Sequence, residues 1–162
     1  MTAANEEELA SLRAEIDAVE RAAPVDLGFR AILLAVAVFA LIIGYVLPWM
    51  GSAAGWQVLL ATGDATGKAG AVPRLFAATA LGFGILASAL ALSLRRWTLT
   101  WIAALGGWFA AVDGLLAIWT RQSTAGLNSP GPGVGLIISE VAVIVLAALW
   151  LKTAWSRPHQ SR

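Results

Sequence analysis

The sequence predicts an all-α protein: a four-span transmembrane helical bundle preceded by a short N-terminal cytoplasmic amphipathic helix. Three observations carry that expectation. Hydrophobic residues make up 59% of the 162 and charged residues only 13%, with a mean hydropathy of +0.75, well beyond the apolar share of ordinary soluble domains. Four apolar segments, about 30–49, 74–94, 97–119 and 134–155, each reach the roughly 20 residues that cross a bilayer. Glycine- and proline-bearing loops or very short turns separate them. The chain then divides into residues 1–29, a cytoplasmic N-terminal helix and linker; 30–155, the four-helix membrane domain; and 156–162, a cytoplasmic tail.

The N-terminal stretch NEEELASLRAEIDAVERAA opens with Asn5 as a candidate N-cap and Glu8 three residues on, the spacing of a capping box. Leu9, Leu12, Ile16 and Val19 form a short heptad seam. That seam suits a small coiled coil with another subunit, or an amphipathic helix lying on a membrane surface. Pro24 stops it. The first apolar run is too long for the core of an ordinary signal peptide and follows an acidic stretch, so it is expected to remain as the first span.

That span, AILLAVAVFALIIGYVLPW, is expected to end at Pro48 and Trp49. In the loop from Met50 to Pro73, GWQVLLATG is apolar enough for a short interfacial helix and GDATGKAG reads as a flexible turn. Spans two and three are joined by LSLRRWTLTW, a connection so tight that an antiparallel hairpin follows. TRQSTAGLNSPGPGVG separates spans three and four. Placing the N-terminus inside puts eight of the basic residues on the cytoplasmic side against Lys68, Arg74 and Arg121 outside, which favours a multi-pass plasma-membrane protein with both termini cytoplasmic. Trp49 and Trp119 then mark the outer interface, and Trp97, Trp101, Trp150 and Trp155 the inner one.

The third span carries the clearest periodic pattern. Ala103, Gly106, Gly107, Ala110, Ala111, Gly114 and Ala117 fall on one stripe, with Trp97, Trp101, Trp108 and Trp119 opposite. Small residues let membrane helices approach closely, so Gly106, Gly107, Ala110 and Gly114 are expected to face the bundle. Span two repeats the device with Ala77, Ala80, Gly84, Ala87, Ser88 and Ala91, and the two stripes are expected to meet. Asp113 lies at the edge of the third-span stripe and therefore points inward, because an acid facing lipid costs roughly 2.5–3.5 kcal/mol.

Glu140 sits in span four at a matching depth. Both acids lie six residues from the outer ends of their spans at Trp119 and Val134, roughly 9 Å inside. Two carboxylates in low dielectric resist ionising together, so they should hold a proton or share a cation. Arg74, in the first turn of span two, is the candidate partner, with Arg121 and Lys68 weaker ones and Tyr45 available as a hydrogen-bonding neighbour. The trio Asp113, Glu140 and Arg74 reads as an intramembrane polar cluster. It is either a pin that fixes helix register or a proton or ion site. The off-centre position of the acids and the absence of proline from spans three and four weigh against transport.

Catalytic chemistry finds little support. With no cysteine, disulfides, thiolate metal sites and a cysteine nucleophile are excluded, and the one histidine, His159, lies in the tail. Ser88 and Ser139 have no histidine to activate them. GFG at 82–84 and GVG at 133–135 lack the surroundings of a nucleotide-binding fingerprint, and Gly84 reads as a packing residue. A net charge of +1 gives no argument for nucleic acid. No catalytic, metal-ligating or cofactor-binding residues and no cofactor are therefore expected.

The runs VLPWMGSAAGWQVL, AGAVPRLFA and ALGGWFAAVDGLLAIW resemble small four-helix integral membrane proteins of mycobacteria and related actinobacteria over about residues 30–150. The resemblance implies a plasma-membrane location and no catalytic residues. With the sequence reading, it leads to the expectation of a non-enzymatic accessory or scaffolding subunit. Its partners would be the lipid bilayer and a membrane-protein partner or second copy, met through the N-terminal helix or the tryptophan face. The alternative is a small proton- or cation-coupled transporter using Asp113 and Glu140.

Overall fold

The computed structural model describes residues 6, 8–14, 28–125 and 131–156. Residues 8–14 are helical, with Leu9 and Leu12 exposed; Ile16 and Val19 of the heptad seam, Pro24 and His159 lie outside the described residues. The main body is all-α apart from one small hairpin. Helix α1 spans Gly28–Val46. Strands β1 (Pro48–Met50) and β2 (Ala53–Ala54) pair antiparallel, and α2 follows at Gly55–Leu60. Helix α3 runs over Ala71–Leu94, α4 over Trp97–Thr124 and α5 over Val134–Trp155. The four long helices are each long and apolar enough to cross a membrane.

Each element follows from its residues. α1 is a run of helix-tolerant apolar residues that ends where Pro48 removes a backbone donor. The expected continuation to Trp49 is corrected: Pro48–Met50 turn into an extended strand, and Gly51, at φ +57°, makes the tight return to β2. Between α3 and α4 stand only Arg95 and Arg96. Arg95 takes a left-handed conformation, with its N–H donating to the Ala91 carbonyl at 3.0 Å, and this closes α3 and reverses the chain. α3 is not uniform. Residues Ala80–Ala87 form wider π-type turns, a rare geometry that the sequence did not announce.

Packing is built on small residues. Every member of the two stripes read from spans two and three is buried, and α3 and α4 pack together along them. The Phe83 ring lies over Gly106, where any Cβ would collide with it. Two further extensive helix pairings are α4 with α5 and α1 with α5. At the first, a Cβ on Gly107 would come within 3.3 Å of the Ala147 backbone. At the second, Gly44 faces Ser139 and Gly135 faces the Leu47 and Gly44 carbonyls. Such contacts bring backbones close enough for dispersion between whole helix surfaces.

Two tryptophans stand elsewhere than expected. Trp49 and Trp150 are fully buried rather than interfacial. Trp49 stacks on Phe76 with ring centroids 5.1 Å apart, meets Tyr45 edge-on at 5.4 Å, and donates its indole N–H to the Gly44 carbonyl at 2.9 Å. Trp150 donates to Ser88 Oγ at 2.9 Å. In both cases an internal acceptor satisfies the one polar atom, so the ring can leave the surface. Trp97, Trp108, Trp119 and Trp155 remain exposed.

Replacing Trp150 by Phe leaves the ring's bulk nearly intact but strands Ser88 without its donor. Thermal unfolding of the purified chain should show a loss of about 1–2 kcal/mol. Trp155→Phe, at a position 74% exposed, should leave the midpoint unchanged.

Candidate functional site

Charge is scarce inside the four helices, and the two acids they hold turn inward. Between Ala31 and Val46, and between Leu75 and Leu94, there is no Asp, Glu, Lys or Arg. Between Trp97 and Thr120 there is only Asp113, and between Val134 and Leu151 only Glu140. Both are buried, at 5% and 2% exposure. Asp113 lies on α4 beside Gly114, within the small-residue stripe that faces α3 and α5.

The structure brings these two acids together. They are within electrostatic reach of one another, and the Glu140 carboxylate rests directly against Gly114, so that a Cβ there would occupy its place. Phe76 closes over the same glycine. Thr79 of α3 lies beside the Asp113 side chain and donates its hydroxyl to the Phe76 carbonyl at 3.2 Å. Asp113 Oδ2 and both Glu140 carboxylate oxygens are buried without a hydrogen-bond partner. The approach does not depend on the depth argument from Trp119, since α4 continues to Thr124. It depends on the close α4–α5 contact at Gly107 and Gly114.

Arg74 does not join them. It is exposed and lines a separate apolar hollow with Leu59, Val72 and Leu75. No ion pair forms among the described residues. The Tyr45 hydroxyl donates to the Ala77 carbonyl at 3.0 Å rather than to either acid. Arg121, which the sequence ranked low, is buried. Two helical turns of α4 beyond Asp113, it lines a different hollow with Lys68, Gly70 and Thr124. Its burial was hidden because the span was expected to end at Trp119, leaving Arg121 in a loop. No group of three or more His, Cys, Asp or Glu side chains is arranged to hold a metal among the described residues.

Comparisons with known proteins alter the reading of what the chain belongs to. The family model described as the MiaB C-terminal domain matches residues 13–162. A curated relative from Mycobacterium avium (strain 104), a tRNA-2-methylthio-N(6)-dimethylallyladenosine synthase, is 45% identical over 152 residues, 92% of this chain and 21% of the relative. The chain thus spans about a fifth of that relative's length. No solved structure matches.

Several expectations are corrected by these matches. The resemblance to independent four-helix membrane proteins of unassigned function gives way to a family named for an enzyme. The non-enzymatic accessory or scaffolding subunit, and its alternative, the proton- or cation-coupled transporter, give way for the same reason: the relative is a synthase. The partner list of bilayer, membrane protein or second copy, with nucleic acid excluded, falls before a relative named for a tRNA nucleoside. The expected plasma-membrane location with both termini cytoplasmic falls with it. All these inferences shared one physical weakness: composition reports what surrounds a chain and not the family it belongs to. By both matches, the chain belongs to the MiaB C-terminal domain family.

Proposed function

We propose that this chain is the C-terminal helical domain of a tRNA-modifying enzyme, of the same activity as its relative, and that it contributes placement rather than chemistry. Its four long helices then form a transmembrane helical bundle, the finer architecture their length and apolar composition suit. The observation that carries this is the outer surface. Phe29, Ile32, Val36 and Phe39 of α1, Leu86 and Leu90 of α3, Leu105, Phe109 and Val112 of α4, and Ile137 and Val141 of α5 are all exposed. Soluble monomers rarely expose a large contiguous apolar patch, whereas here every long helix presents several exposed large apolar side chains. Helices satisfy their own backbone, as hydrocarbon requires.

The link to tRNA modification rests on the family and on the relative's name. The chain itself holds no cysteine and, among the described residues, no metal-ligating group, so the methylthio chemistry belongs to other residues of the enzyme. The experiment that tests the whole reading uses the enzyme with and without this domain. With it, the enzyme is expected in the membrane fraction and resistant to alkaline carbonate extraction. Without it, the enzyme should become soluble, and nucleoside mass spectrometry should show less 2-methylthio-N(6)-dimethylallyladenosine in tRNA. An intact enzyme that carbonate strips from membranes, or one monodisperse in water without detergent, refutes the membrane part. Unchanged tRNA methylthiolation after loss of the domain refutes the functional link.

Within the domain, Asp113 and Glu140 act as a polar pin that fixes α4 against α5. The pin depends on Gly114, which makes room for the Glu140 carboxylate. Gly114→Ala should therefore lower stability by about 1–3 kcal/mol, the usual cost of overpacking. Gly82→Ala, where a Cβ meets nothing within 4 Å, should be neutral or slightly stabilising. Thermal unfolding in detergent separates the two.

Arg74→Ala distinguishes this arrangement from the triad the sequence suggested. Because Arg74 is exposed and forms no ion pair, its removal should change stability by less than about 0.5 kcal/mol. A loss of several kcal/mol would mean that it is the acids' partner after all.

A further inference from the structure

We propose that the hollow between the end of α4 and the start of α3 binds a phosphate-type oxyanion. This hollow, of about 220 Å³, is lined by Lys68, Gly70, Val72, Thr120, Arg121 and Thr124 among others, and no acid lines it. Two independent features converge there. The first is the N-terminus of α3. Gly70 caps it without any side-chain hydrogen bond, so the Ala71 and Val72 amides have neither an intrahelical acceptor nor a capping group. The positive end of the helix dipole points into the hollow, an arrangement that favours anions.

The second feature is Arg121. Its side chain is only 8% exposed, yet its Nε is buried without a hydrogen-bond partner, and it makes no ion pair among the described residues. A cation near the end of α4 is favoured by that helix's own dipole, but this accounts for an exposed arginine that donates to the last carbonyls. It does not account for a buried Nε that donates to no group among the described residues. An arginine stays charged under all ordinary conditions, and burying it without a partner is costly. A bound anion removes that cost. Lys68, exposed at the mouth, adds a second positive charge.

The hydroxyls in the hollow are already committed. Thr120 Oγ1 donates to the Ala117 carbonyl at 2.9 Å and Thr124 Oγ1 to the Thr120 carbonyl at 2.9 Å. The remaining donors are the guanidinium, the ammonium and the two amides. This all-donor set suits an anion with several acceptor oxygens, which is phosphate chemistry. The phosphate can come from free solution or from a phosphomonoester lipid headgroup, and the test separates them.

The test follows the melting temperature of the full chain, purified in phosphate-free detergent, against three additions: inorganic phosphate, dihexanoyl phosphatidic acid, and chloride at matched ionic strength. A saturable rise with inorganic phosphate, absent with chloride, supports the site with a free anion as its ligand. A rise with the phosphatidic acid alone supports the site with a headgroup as its ligand. Lys68→Gln lies at an exposed position, so it should fold normally and weaken binding on the order of ten-fold; Arg121→Gln should abolish the rise. No rise with either phosphate, an equal rise with chloride, or a phosphate response unchanged in Lys68→Gln and Arg121→Gln overturns the proposal. None of these outcomes depends on tRNA modification, so this site can fail while the function proposed above stands, and the reverse.

Discussion

The structure depends on how closely α4 can approach α5. Both helices carry apolar side chains on their outward faces as well, so apolarity alone does not mark out the seam between them. What remains is contact between backbones, and that exists only where side chains are absent or short. Gly107 meeting Ala147 and Gly114 meeting Glu140 set this distance. The α1–α5 contact repeats the solution at Gly44 and Gly135. Once the helices are this close, a buried acid can lie against its neighbour's backbone, and an aromatic ring such as Phe83 can lie flat on a glycine without opening the bundle.

Much of this was legible from periodicity. The stripe from Ala103 to Ala117 needs only 100° per residue and a count of side-chain sizes to be assigned to the interior, and Asp113 follows because it sits beside that stripe. Glu140 was legible too, because an acid in an apolar helix has few places to go. The failures share a cause: they depend on partners that are distant in sequence. Trp49 and Trp150 resemble interfacial tryptophans until the Gly44 carbonyl and Ser88 Oγ are brought to them. The extended Pro48–Met50 segment appears only once Ala53 and Ala54 pair with it. Arg74 looked like a partner for the acids because it shares their end of the bundle, but its exposure is a matter of azimuth around α3, which the widened turns at Ala80–Ala87 make hard to project from sequence.

The family was not legible at all, and the reason is physical. Hydropathy, small-residue stripes and buried acids report what a segment touches. A chain that covers about a fifth of its relative need carry none of the residues that make the relative a synthase. The same separation explains how a sequence without cysteine and with one histidine can belong to an enzyme family.

The buried charges show how that packing is reconciled with electrostatics. Asp113 and Arg121 lie on the same helix eight residues apart, about 12 Å along its axis, and both are buried. They do not neutralise each other, so each must be compensated locally. Two neighbouring carboxyl groups can do this between themselves, because a single proton held by either acid removes the repulsion. An arginine has no such recourse, since it does not give up its proton. The acid pair can therefore be closed off beneath Phe76, with apolar neighbours and one threonine, whereas Arg121 must keep an opening through which an anion can reach it. The hollow at the head of α3 provides that opening.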